Sequence, residues 1–285
     1  MNFTEYGVQI NAGHEVMIDR CWLGETNFDF PFDMEHPPRS TAIQINGHDH
    51  FVLNTIVFSS KVGLEVSGSA NVLTNVHVWF PENRALAFVD IGVMAFHIVQ
   101  RGNRFSGCYI DGSRAVISDL GGPTVWVNGY ECCAGAGLED VPHGIILNGS
   151  DSGSDAVVGP GIFITHNIFK GGSIYFHGPN GNDPSVHGVQ IAENYFSDAL
   201  GKATRATKVV KLDGSTSKWT VDFCDVLVFP STPRVVSAAV TASSGFPRVV
   251  SRSDRGCALR MESSEPINGS VTVSVDQSAD ALAFV

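Results

Sequence analysis

The sequence is poor in charge and contains no long apolar run. Only 16% of its 285 residues are charged, and no hydrophobic stretch is long enough to span a bilayer. Basic residues are the scarcer sign, with 18 Lys and Arg against 29 Asp and Glu and a formal net charge of −11. Phosphate backbones are bound by clustered Lys and Arg, so no nucleic-acid partner and no membrane partner is expected. The same sign weighs against a polyanionic substrate unless a local basic patch overrides it. Six cysteines (Cys21, Cys108, Cys132, Cys133, Cys224 and Cys257) include no CxxC pair, which removes the zinc ribbons. Their even number permits disulfides without requiring them, and the adjacent Cys132 and Cys133 read as buried or turn thiols. The glycine turns at Gly121 and Gly178 are followed by no GK[ST], so neither is a phosphate loop. No G-x-S-x-G nucleophile elbow occurs either. The start, MNFTEYGVQIN, has no basic segment and no apolar run, so no signal peptide is expected in this chain. Sequons at Asn2, Asn148 and Asn268 keep an extracellular or secreted location as the expectation.

What is present is repetition. Ile43–Phe58 can be laid over Leu64–Trp79 without a gap, matching Gly47 with Gly68, Asn54 with Asn75 and Phe58 with Trp79, each 21 positions apart. The same spacing relates Asn103–Tyr109 to Thr124–Tyr130. An earlier copy starts at Val8 if one gap is allowed, and later ones are Phe163–Phe169 and Gln190–Phe196. The units are strands of three to six residues, alternating apolar and polar, punctuated by Gly, Asn, Asp and Ser. A unit this short cannot bury its own apolar face and must stack on its neighbours. Leucine-rich spacing is missing, and WD repeats are about twice as long. The expectation is an all-β chain: a right-handed parallel β-helix over residues 1–203, then a small antiparallel β-sandwich-like module over 204–285. Asn54, Asn75, Asn167 and Asn194 are expected to form a hydrogen-bonded ladder within stacked turns. Past Ala203 the strands no longer keep the coil spacing. That module is expected to cap the helix, mediate assembly (a homotrimer) or bind carbohydrate.

Three segments, Ser40–Ser60, Gly63–Trp79 and Asn103–Asp111, together resemble the divergent polygalacturonases of plants, pectin-lyase-like proteins of the QUARTET3 type. The resemblance covers residues 5–198. It implies a right-handed β-helix acting on a cell-wall or related polysaccharide, most simply as a glycoside hydrolase. The NTD, DD, GHG and RIK motifs of ordinary polygalacturonases are not found in series, so residue roles are not carried over from them. The family has further coils upstream, which are expected to be missing here.

Glycoside hydrolysis uses two carboxyl groups, about 5–5.5 Å apart for retention and about 6.5–9.5 Å for inversion. Asp111 closes the strand-like CYID and Asp119 ends AVISD, and the resemblance puts both at acidic positions of the family pattern. Either is otherwise a turn residue. The insertion from Glu25 to Arg39 carries Glu25 and Asp33 among Phe28, Phe30 and Phe32, so it offers carboxylates beside a stacking surface. Its alternative is an ordered surface loop packed by its own rings. No metal site is assigned and no cofactor is called for. Ca²⁺ is the ion that such oxygen ligands would suit. His48 and His50 would share a face if their segment were a strand, though Ser69 and Asn71 replace them one coil later. Trp79 takes the place of Phe58, as core filling or as a surface for sugar, with His77 on the same face. Arg84, Arg101, Arg104 and Arg114 form a basic concentration that reads as surface charge or as partners for uronate carboxylates. Arg104, Arg114, His48, His77 and Trp79 are therefore the substrate-binding candidates. A lyase or transferase on the same scaffold, and a non-catalytic carbohydrate-binding β-helix, are the alternative functions.

Overall fold

In a computed structural model the described residues are 5–24, 40–58, 60–79, 94–132, 144–149, 157–178, 185–197, 201–230, 233, 235–242, 247–253 and 256–278. The side chains of residues 132, 157, 185, 235 and 253 are not among what is described. Three parallel sheets of seven strands each make up the larger part of the molecule. The first runs from Tyr6–Ile10 to Ser173–His177, the second from Met17–Asp19 to Val189–Ala192, and the third from Trp22–Gly24 to Tyr195–Phe196. Each coil contributes one strand to each sheet, and the next coil stacks on it at the usual strand spacing, about 4.8 Å. The 21-residue offset read from the sequence is the register of the sheets. Ile43 pairs with Leu64, Phe58 with Trp79, and Tyr109 with Tyr130. The fold is a pectin-lyase-like parallel β-helix, with the right-handed crossings that parallel strands require.

Short strands suffice because each needs to send only one or two side chains inward. In three-residue strands the middle residue is the buried one, as with Val52, Val57, Leu73, Val78, Phe105 and Ile110. These stack coil upon coil into one continuous core. Phe105 lies face to face with Trp126 (ring centroids 4.6 Å apart), and Phe96 meets the same indole edge-on at 5.2 Å.

Two turns hold the coil together. Between the second and third sheets every coil uses a two-residue connection whose first member is left-handed. It is Arg20, Asn54, Asn75, Gly107, Asn128, His166 and Glu193 in successive coils, with φ between 48° and 63°. Asn tolerates this region better than most residues, which accounts for its recurrence. The expected single ladder is therefore corrected. Asn54 and Asn75 occupy the left-handed position and bond to each other at 3.1 Å on the surface. Asn167 and Asn194 occupy the next position, where the Asn167 amide reaches Asn194 Oδ1 at 3.0 Å. A second, buried ladder stands at the turn from the first to the second sheet. There the His50 amide donates to Asn71 Oδ1 at 2.9 Å, and the Asn71 amide to Asn103 Oδ1 at 3.0 Å.

After Thr204 the chain changes to antiparallel pairing. Arg205–Asp213, Asn268–Asp276 and Val235–Ala242 form one three-stranded sheet. Lys218–Asp222, Ala258–Ser263 and Val249–Ser253 form the other. Val221, Leu259 and Met261 of the second sheet share a core with Val271, Val273 and Val275 of the first, which makes a small sandwich. A Cys224–Cys257 disulfide closes it. The sandwich is joined to the last coil by Phe229, whose ring packs against Phe176 at 5.2 Å within the β-helix core. Among the described residues no helix is long and apolar enough to cross a membrane.

Candidate functional site

The corner between the third and first sheets is built unevenly. In the first, third and fifth coils the chain leaves it for a long stretch: residues 25–39 after Gly24, 80–93 after Trp79, and 133–143 after Cys132. In the second, fourth and sixth coils it turns at once. In the fourth, Gly112 and Ser113 alone separate Asp111 from Arg114. The register neighbours of Asp111 are Trp79 and Cys132, the two residues from which the flanking long segments depart. Asp111 thus stands on a short-turned coil between two coils whose connections are long in sequence and lie outside the described residues, and this position is called the notch below.

Beside the notch the third sheet turns a band of rings outward. Alternation puts Trp22, His77, Tyr109, Tyr130 and Tyr195 in one outward column, with Trp79 and Asp111 in the next. The His77 ring stacks on Tyr109 at 4.3 Å with the planes 5° apart, and Tyr130 meets Tyr109 edge-on at 5.0 Å. Trp22 is 68% exposed, Tyr195 64% and Trp79 38%. Burial holds His77 below its usual pKa against the opposing pull of the Asp111 carboxylate, which favours a neutral imidazole near pH 7. Within the described residues Asp111 is the one carboxylate on this outward face.

Three of the candidate residues, Asp111, His77 and Trp79, are brought together. Trp79 is not core filling: Val57 and Val78 point inward, so Phe58 and Trp79 both face out. The other candidates are dispersed. Asp119 lies beyond the strand Arg114–Ile117 from Asp111, across more than about 13 Å of extended backbone. It braces a turn, with Oδ1 accepting from the Gly121 amide at 3.0 Å and Oδ2 lying 3.8 Å from Arg101 Nε. The arginines do not converge. Arg104 projects from the second sheet between Val72 and Val125, and Arg101 is held by Asp119 and the Gly121 carbonyl. Arg114 is not a surface charge, being only 2% exposed and paired with Gly144 in the first sheet. His48 and His50 sit in a turn, so they do not share a face. His48 is exposed and contacts the Ser69 hydroxyl at 2.9 Å, while His50 is buried and accepts from the Val16 amide at 3.1 Å. Glu25, Asp33 and Arg84 lie outside the described residues. Among those residues the one acidic and thiol cluster joins Asp222 to Cys224 and Cys257, whose sulfurs are spent in the disulfide.

Sequence reasoning missed a polar column on the first sheet. Gln9 Nε2 donates to Gln44 Oε1 at 2.6 Å, Gln44 Nε2 donates to Glu65 Oε1 at 2.9 Å, and Glu65 Oε2 lies 3.8 Å from His97 Nδ1. Overlaying the 21-residue units would have paired Gln44 with Glu65, but His97 enters only after residues 80–93 are skipped.

The chain is 28% identical over 278 residues, 95% of its length, to Polygalacturonase QRT3 of Arabidopsis thaliana. This supports assignment to a divergent polygalacturonase-like family. The match takes in 54% of that relative, so the chain spans about half its length. No family model matches the chain.

Proposed function

We propose that this protein acts on a pectin-like or other cell-wall polysaccharide as a glycoside hydrolase, with the glycan lying along the outward face of the third sheet and crossing the notch at Asp111. The observation that carries this reading is the meeting of Asp111 with His77, Trp79 and Tyr109 between the two long segments. Aromatic faces spaced one coil apart would give successive sugars something to stack on, and the carboxyl beside them would protonate a leaving oxygen. Hydrolysis needs a second carboxyl, for which Glu25 and Asp33 are the proposed sources. The likeness to a polygalacturonase supports the reaction class. The disulfide favours an oxidising, extracellular setting. The nine-residue edge strand Arg205–Asp213 would suit self-association, a trimer included.

The test is incubation with uronate and neutral polysaccharides, following new reducing ends and the absorbance of unsaturated products. Reducing ends without absorbance are expected. Asp111→Asn should lower the rate about 10²–10⁴-fold, the range for losing a general acid. Unchanged turnover in that variant would remove Asp111 from the chemistry. Absorbance would replace hydrolysis by elimination. A specific observation favours a second reading, binding without turnover: the described outward face holds a single carboxylate amid its rings. Retention of polysaccharide with no new ends from the wild-type protein would select it.

A further inference from the structure

A second site stands where the last coil meets the sandwich, three coils along the helix axis from that of Asp111. A cavity of about 560 Å³ opens there, well within the range of small-molecule sites, which favour the junctions of structural units. Tyr175 and Phe176 of the last first-sheet strand, Pro230 and the Cys224–Cys257 disulfide are among its lining, with Phe229 buried beneath. The lining is mostly apolar, and Lys202 is the charged group set into it. Its ammonium donates to the Cys224 carbonyl at 2.9 Å and the Leu227 carbonyl at 3.4 Å. An ammonium has three N–H donors, so these bonds fix its position and leave one donor. Asp225, whose charge acts on Lys202, is itself held by Lys208 at 2.7 Å. The result is a fixed cation in a chain of net charge −11, inside a concave apolar wall.

We propose that this cavity binds one uronosyl residue of an acidic glycan, with the sugar carboxylate on Lys202 and its apolar ring face against Tyr175, Phe176 and Pro230. The anionic sugar is the ligand class that uses both features at once: a neutral sugar leaves the cation unanswered, and a small inorganic anion leaves the walls uncovered. The site is separate from the notch, and it holds the acidic polymer at the sandwich end of the helix while the notch acts elsewhere on the chain. The choice of an acidic glycan rests on the function proposed above.

The experiment is calorimetric titration of the full chain with trigalacturonate, and with maltotriose as the neutral control, in four proteins: wild type, Lys202→Gln, Tyr175→Ala and Asp111→Asn. Support is binding of trigalacturonate that falls about tenfold or more in Lys202→Gln, the loss expected for a hydrogen bond to a charged group, falls also in Tyr175→Ala, and is unchanged in Asp111→Asn. Equal binding of maltotriose overturns the proposal, as does trigalacturonate binding that Tyr175→Ala leaves untouched. Binding lost in Asp111→Asn alone assigns the ligand to the notch. Cleavage of the polymer that depends on Asp111, with no calorimetric binding sensitive to Lys202 or Tyr175, overturns this site and leaves the notch reading intact. If Lys202→Gln fails to fold, Tyr175→Ala carries the same decision.

Discussion

Among the described residues the coils bury an unpartnered carboxyl and the sandwich does not. At the sandwich, Gln277 is 1% exposed and both ends of its amide are used, with Nε2 donating to the Phe229 carbonyl at 2.7 Å and Oε1 accepting from the Phe229 amide at 3.3 Å. In the fifth coil Glu131 points into the core between Ile110 and Phe169, is 4% exposed, and has no hydrogen-bond partner among the described residues. The carboxyl lies against Gly172, where a methyl would overlap it. Burial pushes this group up from 4.5 to about 8. A solenoid tolerates such a fault because each coil answers only to its neighbours. Among the described residues the sandwich leaves only a neutral indole nitrogen, Trp219 Nε1, buried without a partner, and it adds a covalent link.

The largest test of this contrast is pH. Glu131 keeps its proton in the folded chain and gives it up readily when unfolded. Its contribution is therefore fully present below pH 4.5 and is lost as pH rises through about 8. Within that window stability should fall on the order of 1.4 kcal/mol per pH unit for this one proton. Hydrogen exchange of the strand Ile162–Thr165 should quicken between pH 5 and 8 beyond the intrinsic effect of pH, while that of Asn268–Asp276 should not. Glu131→Gln should flatten the response. A flat response in the unaltered protein would mean that the carboxyl finds a partner or water. Next in size is the covalent link. Replacing Cys224 and Cys257 by Ser opens a loop with a sequence separation of 33, and a loss of about 3–4 kcal/mol is expected from chain entropy. It should appear as faster exchange in the sandwich strands with the middle coils unchanged. Equal loosening of both would show that the two regions unfold together.

The same contrast explains what the sequence disclosed. Parallel stacking copies one backbone path, so the 21-residue offset between Ile43 and Leu64 is visible as spacing alone. Antiparallel pairing copies nothing, and no spacing announces that Arg205 faces Asp276 across 71 residues of chain. Within the coils the limit was direction. A period of two says that Phe58 and Trp79 share a face but not which face, and only the burial of Val57 and Val78 decides it. The site was legible to the same degree. Asp111, His77 and Trp79 fall on matched strands and could be grouped by overlay, whereas Glu65 and His97 are joined across a long segment that hides their register. The four asparagines were misjudged by one position, because Asn serves both the left-handed position and the one after it.

A third, smaller test separates the buried ladder from everything the sandwich does. Asn71 accepts from the His50 amide and donates to the Gly47 carbonyl at 3.2 Å, all at zero exposure. Asn71→Ala strands both groups in a place water does not reach. A loss of about 2 kcal/mol is expected, confined to the second to fourth coils by exchange. Asn71→Asp should repair the acceptor but not the donor, and should lie between the two unless its charge outweighs the bond gained.

The smallest effect is expected at the outer turn, where side chain and backbone offer competing accounts. Asn75 has φ 53° and gives one surface hydrogen bond to Asn54 at 3.1 Å. If the left-handed backbone is what matters, Asn75→Ala should cost about 1 kcal/mol and Asn75→Gly almost nothing, because glycine occupies that region without strain. The next coil already uses Gly107 at the equivalent place, with φ 63°. If the surface ladder is what matters, Ala and Gly should cost alike, since both remove the amide. Denaturant midpoints for the pair decide the matter. A neutral Asn75→Gly would mean that the exposed asparagines of this helix are chosen for the turn they permit, and that amide ladders stabilise it only where they are buried.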